Sequence, residues 1–216
     1  YVLRTTPEAM ARHARLLDPP PSHLHIETTP ASNGQAWVDV ACRDRPALLA
    51  SITHAFAEQC LTITEAVLAT WEDDVVLDSF LVEPTSSLDE SALLAAIAAS
   101  LDGPVTSPPL PDAEVSFDGA ASPWHTLCEV VLADRIGVLH AVAAAFAGAG
   151  IEVRAAQVSS HDGLVIDRFD VTDRDGAKLA PEREAQFREL LRRGVSAKRR
   201  RFSRRLAVRA ATPGSA

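Results

Sequence analysis

Two short segments share an acidic-basic pattern that could hold a small charged ligand. Residues 44–48 read Asp-Arg-Pro-Ala-Leu, and residues 134–138, ninety positions later, read Asp-Arg-Ile-Gly-Val. Each segment separates a stretch rich in valine from an alanine-rich stretch, which predicts a turn that leads from a strand into a helix. Free backbone amides at a helix N-terminus bind carboxylates. The same strand-turn-helix element is therefore predicted at two places in the chain.

Other reactive side chains do not form a catalytic or metal-binding pattern. His125, His140 and His161 fall in separate predicted elements and lack the spacing of metal ligands. Asp78 and Asp167 occupy matching positions in two predicted strands, but no base or nucleophile accompanies them. We interpret both carboxylates as polar positions on a sheet face, and we expect no catalytic residue and no cofactor in this segment.

The cysteines and the hydropathy pattern point to a cytoplasmic location. Cys42, Cys60 and Cys128 are odd in number and lie apart in apolar stretches, so we expect them to be reduced core residues. No apolar run reaches the roughly 18 residues that a membrane helix needs, so no contact with a membrane is expected. The sequence opens with Tyr1 instead of Met, and we expect it to be part of a longer protein.

The similarity between the two halves extends well beyond the turns. The offset of 90 residues holds from Asp44 and Asp134 to Ile63 and Val153, and falls to 89 at Phe80 and Phe169. Periodicity predicts a first copy with strands at 37–42, 61–70, 75–82 and 114–117, and helices at 48–59 and 84–101. The second copy has predicted strands at 126–132, 151–160 and 164–172, and helices at 136–149 and 181–193. Its fourth strand is not visible in the sequence.

The order of these elements predicts an α+β fold with two ferredoxin-like βαββαβ units. Each unit would form a four-stranded antiparallel sheet with its helices on one face. We divide the chain into a lead-in segment at 1–34, a first domain at 35–118, a second domain at 119–195 and a basic tail at 196–216.

The distribution of charge argues against nucleic acid as the main ligand. The residues after Phe187 carry a net charge of +9, whereas the remainder has 11 basic and 28 acidic residues, a net of −17. An acidic body repels nucleic acid. The basic residues Lys198 to Arg205 leave three alternatives open: pairing with the acidic body, binding of nucleic acid or anionic lipid, or a disordered end.

The repeated turn, the alanine-rich helix and the strand that follows resemble the ACT domain family, whose members are regulatory modules that bind amino acids. The resemblance implies ligand residues at both turns and at the strand from a neighbouring domain that closes each pocket. These positions are Asp44, Ala47, Leu48, Thr62, Asp134, Arg135, Gly137, Val138 and Glu152. The family usually has glycine where Gly137 stands, so we expect the second repeat to be the better site. Glu152 would repel a ligand carboxylate and could hold an ammonium group.

A second resemblance covers almost the whole chain. The lead-in from Tyr1 to Leu17 and the connection from Val115 to Val130 resemble bacterial protein-PII uridylyltransferases, in the region after their catalytic part. This implies the regulatory end of a bifunctional uridylyltransferase and uridylyl-removing enzyme in nitrogen regulation, with glutamine as ligand and the PII signalling protein as partner of the parent enzyme. Neither the paired aspartates of nucleotidyl transfer nor a His-Asp metal cluster occurs here, so Mg²⁺ is expected only in the absent catalytic domain.

Two hypotheses of different classes follow. In the first, the paired domains sense an amino acid and bias an attached catalytic unit. In the second, the domains pair within or between chains as a ligand-free interaction module. Ala47 and Glu152 favour the second hypothesis, because both depart from the family's pocket pattern.

Overall fold

A computed structural model describes residues 5–71, 74–84 and 87–196, and in these ranges the chain forms one antiparallel sheet flanked by helices. The sheet has eight strands in the order β1-β2-β4-β3-β7-β8-β6-β5. The strands are β1 His25–Pro30, β2 Ala36–Arg43, β3 Thr62–Thr70, β4 Val75–Glu83, β5 Glu114–Asp118, β6 Thr126–Ala133, β7 Ile151–His161 and β8 Leu164–Asp173. The helices are α1 Pro7–Leu17, α2 Leu48–Glu58, α3 Glu90–Leu101, α4 Val138–Ala149 and α5 Pro181–Arg193, and a 3-10 turn spans Ser32–Gly34.

The edge strand of each half comes from before the repeat, which corrects the predicted βαββαβ order. We expected residues 114–117 to complete the first copy, but β5 pairs with β6 of the second copy, with Phe117 opposite Cys128. The first half is completed in the same way by β1, which pairs with β2. Each half therefore has the order ββαββα. The missing fourth strand of the second copy is β5, whereas Val195 forms only an isolated bridge to Ser107.

The single-residue slip between the copies lies in a hairpin. Trp71 donates its amide to the Val75 carbonyl at 2.9 Å, which leaves three residues in the first hairpin loop. In the second copy, His161 pairs with Leu164, so its loop has two residues. Each hairpin is preceded by a β-bulge, which lies after Ile63 in β3 and after Val153 in β7. These two bulges are still 90 residues apart, so the slip occurs after them.

Both halves bury the same aromatic pair under their helices. Phe56 of α2 meets Phe80 of β4 edge to face at 5.0 Å, and Phe146 of α4 meets Phe169 of β8 at 5.0 Å. All four rings are almost completely buried. Burial of large aromatic side chains supplies much of the apolar stabilisation of a core of this size.

The two halves join through one strand pairing and one helix pairing. β3 and β7 pair antiparallel, with Ala66 opposite Val158, so we correct the expected two sheets to one continuous sheet. Above it, α2 packs against α4 through Ala50, Ala143 and Ala144, all buried. Small side chains allow the two helix backbones to approach closely, and this brings the first turns of both helices to the boundary between the halves.

Helix α1 covers the opposite face of the first half, which corrects the expectation that helices lie on one face only. Its Leu16 packs on Ala41 and Leu77, whose side chains point away from α2 and α3. Asp39 on the same face is fully buried. It accepts hydrogen bonds from Arg12 at 2.5 Å and lies 3.1 Å from His13 Nε2.

This cluster keeps a carboxylate charged inside the protein. Burial acts to raise the pKa of Asp39, but the contacts with His13, Arg12 and Ser79 outweigh it and hold the pKa below its usual value. The equivalent position in the second half is Glu129, which is partly exposed and pairs with Arg168 at 2.8 Å on the neighbouring strand. Docking of α1 therefore supplies the charges that the first half lacks on its own sheet.

The cysteine prediction holds for two of three residues. Cys42 and Cys128 are buried, and burial raises the pKa of the Cys42 thiol to about 12. Cys60 is exposed; it follows α2 in the left-handed region, at φ 55°. The predicted turn residues Glu72 and Asp73, and the basic tail after Ser196, lie outside the described residues.

Replacement of Asp39 by Ala should destabilise the protein by about 3 kcal/mol, because it leaves the partly buried Arg12 and the buried His13 without the carboxylate they contact. Its matched control is Glu129→Ala at the equivalent, partly exposed position, which should cost less than about 1 kcal/mol. Denaturant unfolding followed by circular dichroism measures both values. Equal losses at the two positions would contradict the role given to α1.

Candidate functional site

The two repeated turns adopt the same backbone conformation. Ala47 lies at φ 64° and ψ 21°, and Gly137 at φ 84° and ψ 6°, both in the left-handed region immediately before a helix. Asp44 donates its amide to the Asp74 carbonyl, and Asp134 donates its amide to the Gly163 carbonyl. Each turn is thus tied to the hairpin of its own half. Ala47 therefore does not change the turn geometry, although this conformation is strained for a residue with a Cβ atom.

Each turn faces the start of a strand that belongs to the other half, and a cleft lies between the turn and that strand. The first cleft is lined by Asp44, Ala47 and Leu48 and is closed by Glu152 at the start of β7. The second cleft is lined by Asp134, Arg135, Gly137 and Val138 and is closed by Thr62 at the start of β3. The structure thus brings the nine residues singled out from the sequence together in two groups, each shared between the halves.

The clefts differ in size in the direction opposite to our expectation. The first encloses about 100 Å³ and the second about 20 Å³. A volume of 20 Å³ holds little more than one water molecule. The expectation that the second repeat is the better site stays a prediction, but the free space favours the first.

A buried aspartate lines each cleft, and sequence reasoning misjudged both residues. Asp78 on β4 and Asp167 on β8 face the helices, at positions between apolar core residues, with exposed fractions of 4% and 0%. The sequence interpretation places both as polar positions on a sheet face, and the face they lie on is the one that the helices cover. Asp78 alternates with the apolar residues Val76 and Phe80 along β4, and Asp167 lies in the same pattern on β8. This pattern indicates that both carboxylates point inward, towards the helices.

Burial shifts the ionisation of both groups. It raises the pKa of Asp78 to about 8, with the nearby Asp44 charge adding to the shift. Burial likewise raises the pKa of Asp167 to about 7, assisted by Asp134. Neither oxygen of Asp167 has a hydrogen-bond partner by distance and angle among the described residues. A carboxylate held this way favours a cationic or donor group beside it.

Basic residues are used differently in the two clefts. Arg135 is engaged by Asp112 through two hydrogen bonds of 2.8 and 2.7 Å, which hold its guanidinium away from a ligand. Arg45 donates to the Leu101 carbonyl at 2.9 Å. Arg174, from the loop after β8, also lines the first cleft. The first cleft therefore combines carboxylates with a guanidinium at its rim.

The remaining chemistry of the described residues is limited. They contain no group of three or more His, Cys, Asp or Glu side chains that could hold a metal ion. Among the helices of the described ranges, none is long and apolar enough to cross a membrane.

Comparison with known proteins agrees with the two resemblances found in the sequence. Residues 126–191 match the family model described as the ACT domain. This segment runs from β6 into α5 and contains the second turn. The match thus covers most of the second half of an α+β fold that has one antiparallel sheet.

Similar full-length proteins share one description. The chain is 29% identical over 223 residues to a bifunctional uridylyltransferase/uridylyl-removing enzyme of Gluconobacter oxydans, a match that covers 88% of this chain and 23% of the relative. It is 28% identical over 180 residues to the protein of the same description from Rhodospirillum rubrum, with coverage of 73% and 19%. The chain thus spans about a quarter or less of the length of these relatives.

A solved structure of an unknown protein from Galdieria sulphuraria aligns with a TM-score of 0.27 and 18% identity, over 67% of this chain and 81% of that one. Similarity at this level supports no conclusion about the site.

A reciprocal pair of substitutions tests the strain at the two turns. Ala47→Gly should stabilise the protein by about 1 kcal/mol, because glycine adopts positive φ without steric cost. Gly137→Ala should destabilise it by a similar amount, since a Cβ at this position meets only Ala57 at an ordinary 3.8 Å and the cost is confined to the backbone. Thermal unfolding measures both effects, and shifts of the same sign would refute the proposed strain.

The raised pKa of Asp78 should appear in the pH dependence of stability. The folded protein binds the Asp78 proton up to about pH 8, whereas an unfolded aspartate releases it near pH 4. Stability contributed by this proton is therefore present at low pH and is lost as the pH rises through 8. The other charged groups that line the cleft are Asp44, Arg45, Glu152 and Arg174. They are the same in the unaltered chain and in an Asp78→Asn variant, so the difference in stability between these two proteins reports on Asp78.

The free energy of unfolding of Asp78→Asn, relative to that of the unaltered chain, should therefore increase as the pH rises from 4 to 8, by up to about 5 kcal/mol for a pKa difference of this size. Urea unfolding at four or five pH values measures this difference. Parallel pH profiles for the two proteins would show that Asp78 titrates normally.

Proposed function

We propose that this chain is a regulatory module in which two ACT-type repeats bind a small amino acid at their boundary. The observation that carries the proposal is the reciprocal construction of the clefts, in which a helix-initiating turn of one half faces a strand of the other. A ligand in such a cleft touches both halves at once. Its binding energy therefore depends on how the halves are arranged, which is the requirement for a ligand to bias a conformational equilibrium.

The chemistry of the first cleft supports an amino acid as the ligand. The Ser51 amide donates the first i to i−4 hydrogen bond of α2, to the Ala47 carbonyl. The amides of Leu49 and Ala50 therefore lie before the regular hydrogen bonds of the helix. Helix N-terminal amides favour a carboxylate. Glu152 offers negative charge within the same cleft, and the Asp78 carboxyl can ionise beside a cation. A molecule with an anionic and a cationic end, joined by a few bonds, matches this arrangement.

The relatives suggest the setting in which such a module acts. By resemblance to the uridylyltransferase/uridylyl-removing enzymes, we propose that the segment regulates an attached catalytic unit that modifies the PII signalling protein in the bacterial cytoplasm. Glutamine is the first ligand to test on the same ground. In this proposal residues 25–101 form an ACT-type repeat equivalent to the one that contains residues 126–191.

A ligand-free interaction module is the second candidate, and one observation favours it. The continuous sheet and the alanine packing between α2 and α4 hold the halves together without a ligand. The second cleft, moreover, is nearly filled. In this alternative the clefts are residual gaps in an interface between two paired repeats.

A thermal-shift screen against the twenty amino acids separates the two candidates. The midpoint of unfolding should rise with the concentration of a true ligand by mass action. Glu152→Trp and Thr62→Trp form a matched pair that fills one cleft each, at equivalent strand positions without the backbone strain of the turns.

Loss of the shift in Glu152→Trp alone would assign the ligand to the first cleft, and loss in Thr62→Trp alone to the second. The midpoint of each variant without ligand reports whether it remains folded. If the unaltered chain responds to none of the twenty amino acids, the interaction module is the better description.

A further inference from the structure

Asp78 is the most unusual charged residue among those that line the first cleft. It lies on the helix-facing side of β4, where its neighbours on that face, Val76 and Phe80, are core residues. Its exposed fraction is 4%, and it lines the cavity of about 100 Å³ beneath the first turn of α2. A buried carboxylate without a counter-charge is costly, so its position at the wall of a cavity needs a physical explanation.

The cations near this carboxylate do not neutralise it. Among the described residues, none forms an ion pair with Asp78. Arg45 lines the same cleft, but its guanidinium is directed to the Leu101 carbonyl at 2.9 Å and to Asp102 at 3.4 Å. Arg174 approaches from the loop that follows β8 and is exposed. The cavity thus has on its wall a carboxyl group that ionises when a cation lies beside it, a guanidinium at its rim, and space between them.

We propose that the first cleft recognises the ammonium group of its ligand through Asp78, with the ligand carboxylate directed to Arg174 and the first amides of α2. This inference rests on the proposed amino-acid-binding function and specifies the group that the cleft selects. It assigns Asp78 a binding role that the turn motif alone does not give. Compounds that keep the carboxylate but lack the amine should bind poorly.

The second cleft provides an internal comparison. Asp167 stands at the position equivalent to Asp78, but the cavity beside it encloses only about 20 Å³. Arg135, which corresponds to Arg45, is held by Asp112. A cavity of that size leaves room for about one water molecule, much less than the cavity beside Asp78. We therefore expect one ligand per chain, bound beside Asp78.

Titration calorimetry tests this assignment on the unaltered chain. The probes are the amino acid that gives the largest thermal shift and its des-amino carboxylic acid; for glutamine, the pair is L-glutamine and glutaramate. We expect a stoichiometry of one and at least a tenfold weaker affinity for the des-amino acid. This comparison needs no substitution, so it is decisive even where a variant folds poorly.

A matched pair of variants then tests the residue. Asp78→Asn removes the carboxyl group's ability to ionise beside an ammonium group and keeps the shape of the side chain, and it should weaken binding of the amino acid at least tenfold. Asp167→Asn makes the same change at the equivalent position of the other half and should leave affinity and stoichiometry unchanged. Far-UV circular dichroism and the midpoint of unfolding verify that both variants are folded.

The outcomes distinguish this inference from the function on which it rests. Binding of the des-amino acid with undiminished affinity, or undiminished binding by Asp78→Asn, would overturn the ammonium assignment and leave the amino-acid sensor intact. Weakened binding in Asp167→Asn alone would transfer the site to the second cleft and overturn the inference. If no amino acid binds, the inference and the proposed function both fail.

Discussion

The pairing of β3 with β7 is the interaction on which the functional architecture depends. It merges two four-stranded halves into one sheet, with Glu65 opposite Ser159 and Val67 opposite Gln157. This register sets the start of each strand against the helix-initiating turn of the other half. Helices α2 and α4 meet above the pairing through alanine side chains, because larger residues would push the turns away from the strands they face. The clefts are consequences of the junction and do not belong to either half alone.

The local features of this fold could be predicted from the sequence, whereas its non-local pairings could not. The turns at Asp44 and Asp134 each lie between a valine-rich strand and an alanine-rich helix, at an offset that repeats, and these are local signals. The sequence pattern does not say which half β5 joins, since a ββαββα unit and a βαββαβ unit contain the same elements. The βαββαβ order placed residues 114–117 in the first half, but β5 pairs with β6, which is the next strand in the chain.

The site was predictable to a similar extent. The membership of the two clefts followed from the resemblance, including the crossing of Glu152 and Thr62 to the opposite half. Burial of Asp78 and Asp167 did not follow, because an aspartate in a strand is most often on an exposed face. The sizes of the clefts depend on side-chain packing from four different elements, and no linear pattern contains that information. Asp39 was missed for the same reason, since its partners lie in a helix that precedes the repeat.

The upstream origin of the two edge strands also gives the chain a modular construction. Because β1 precedes the first repeat and β5 precedes the second, neither half borrows a strand from the other to complete its own four. The segment between them belongs with the second half, where Leu110 donates its amide to the Leu191 carbonyl and Thr106 lies against His140. The halves are therefore related to each other as two subunits of a dimer would be, joined by a tether near Gly103. The covalent connection raises their effective concentration, and the shape of the shared boundary does not depend on it.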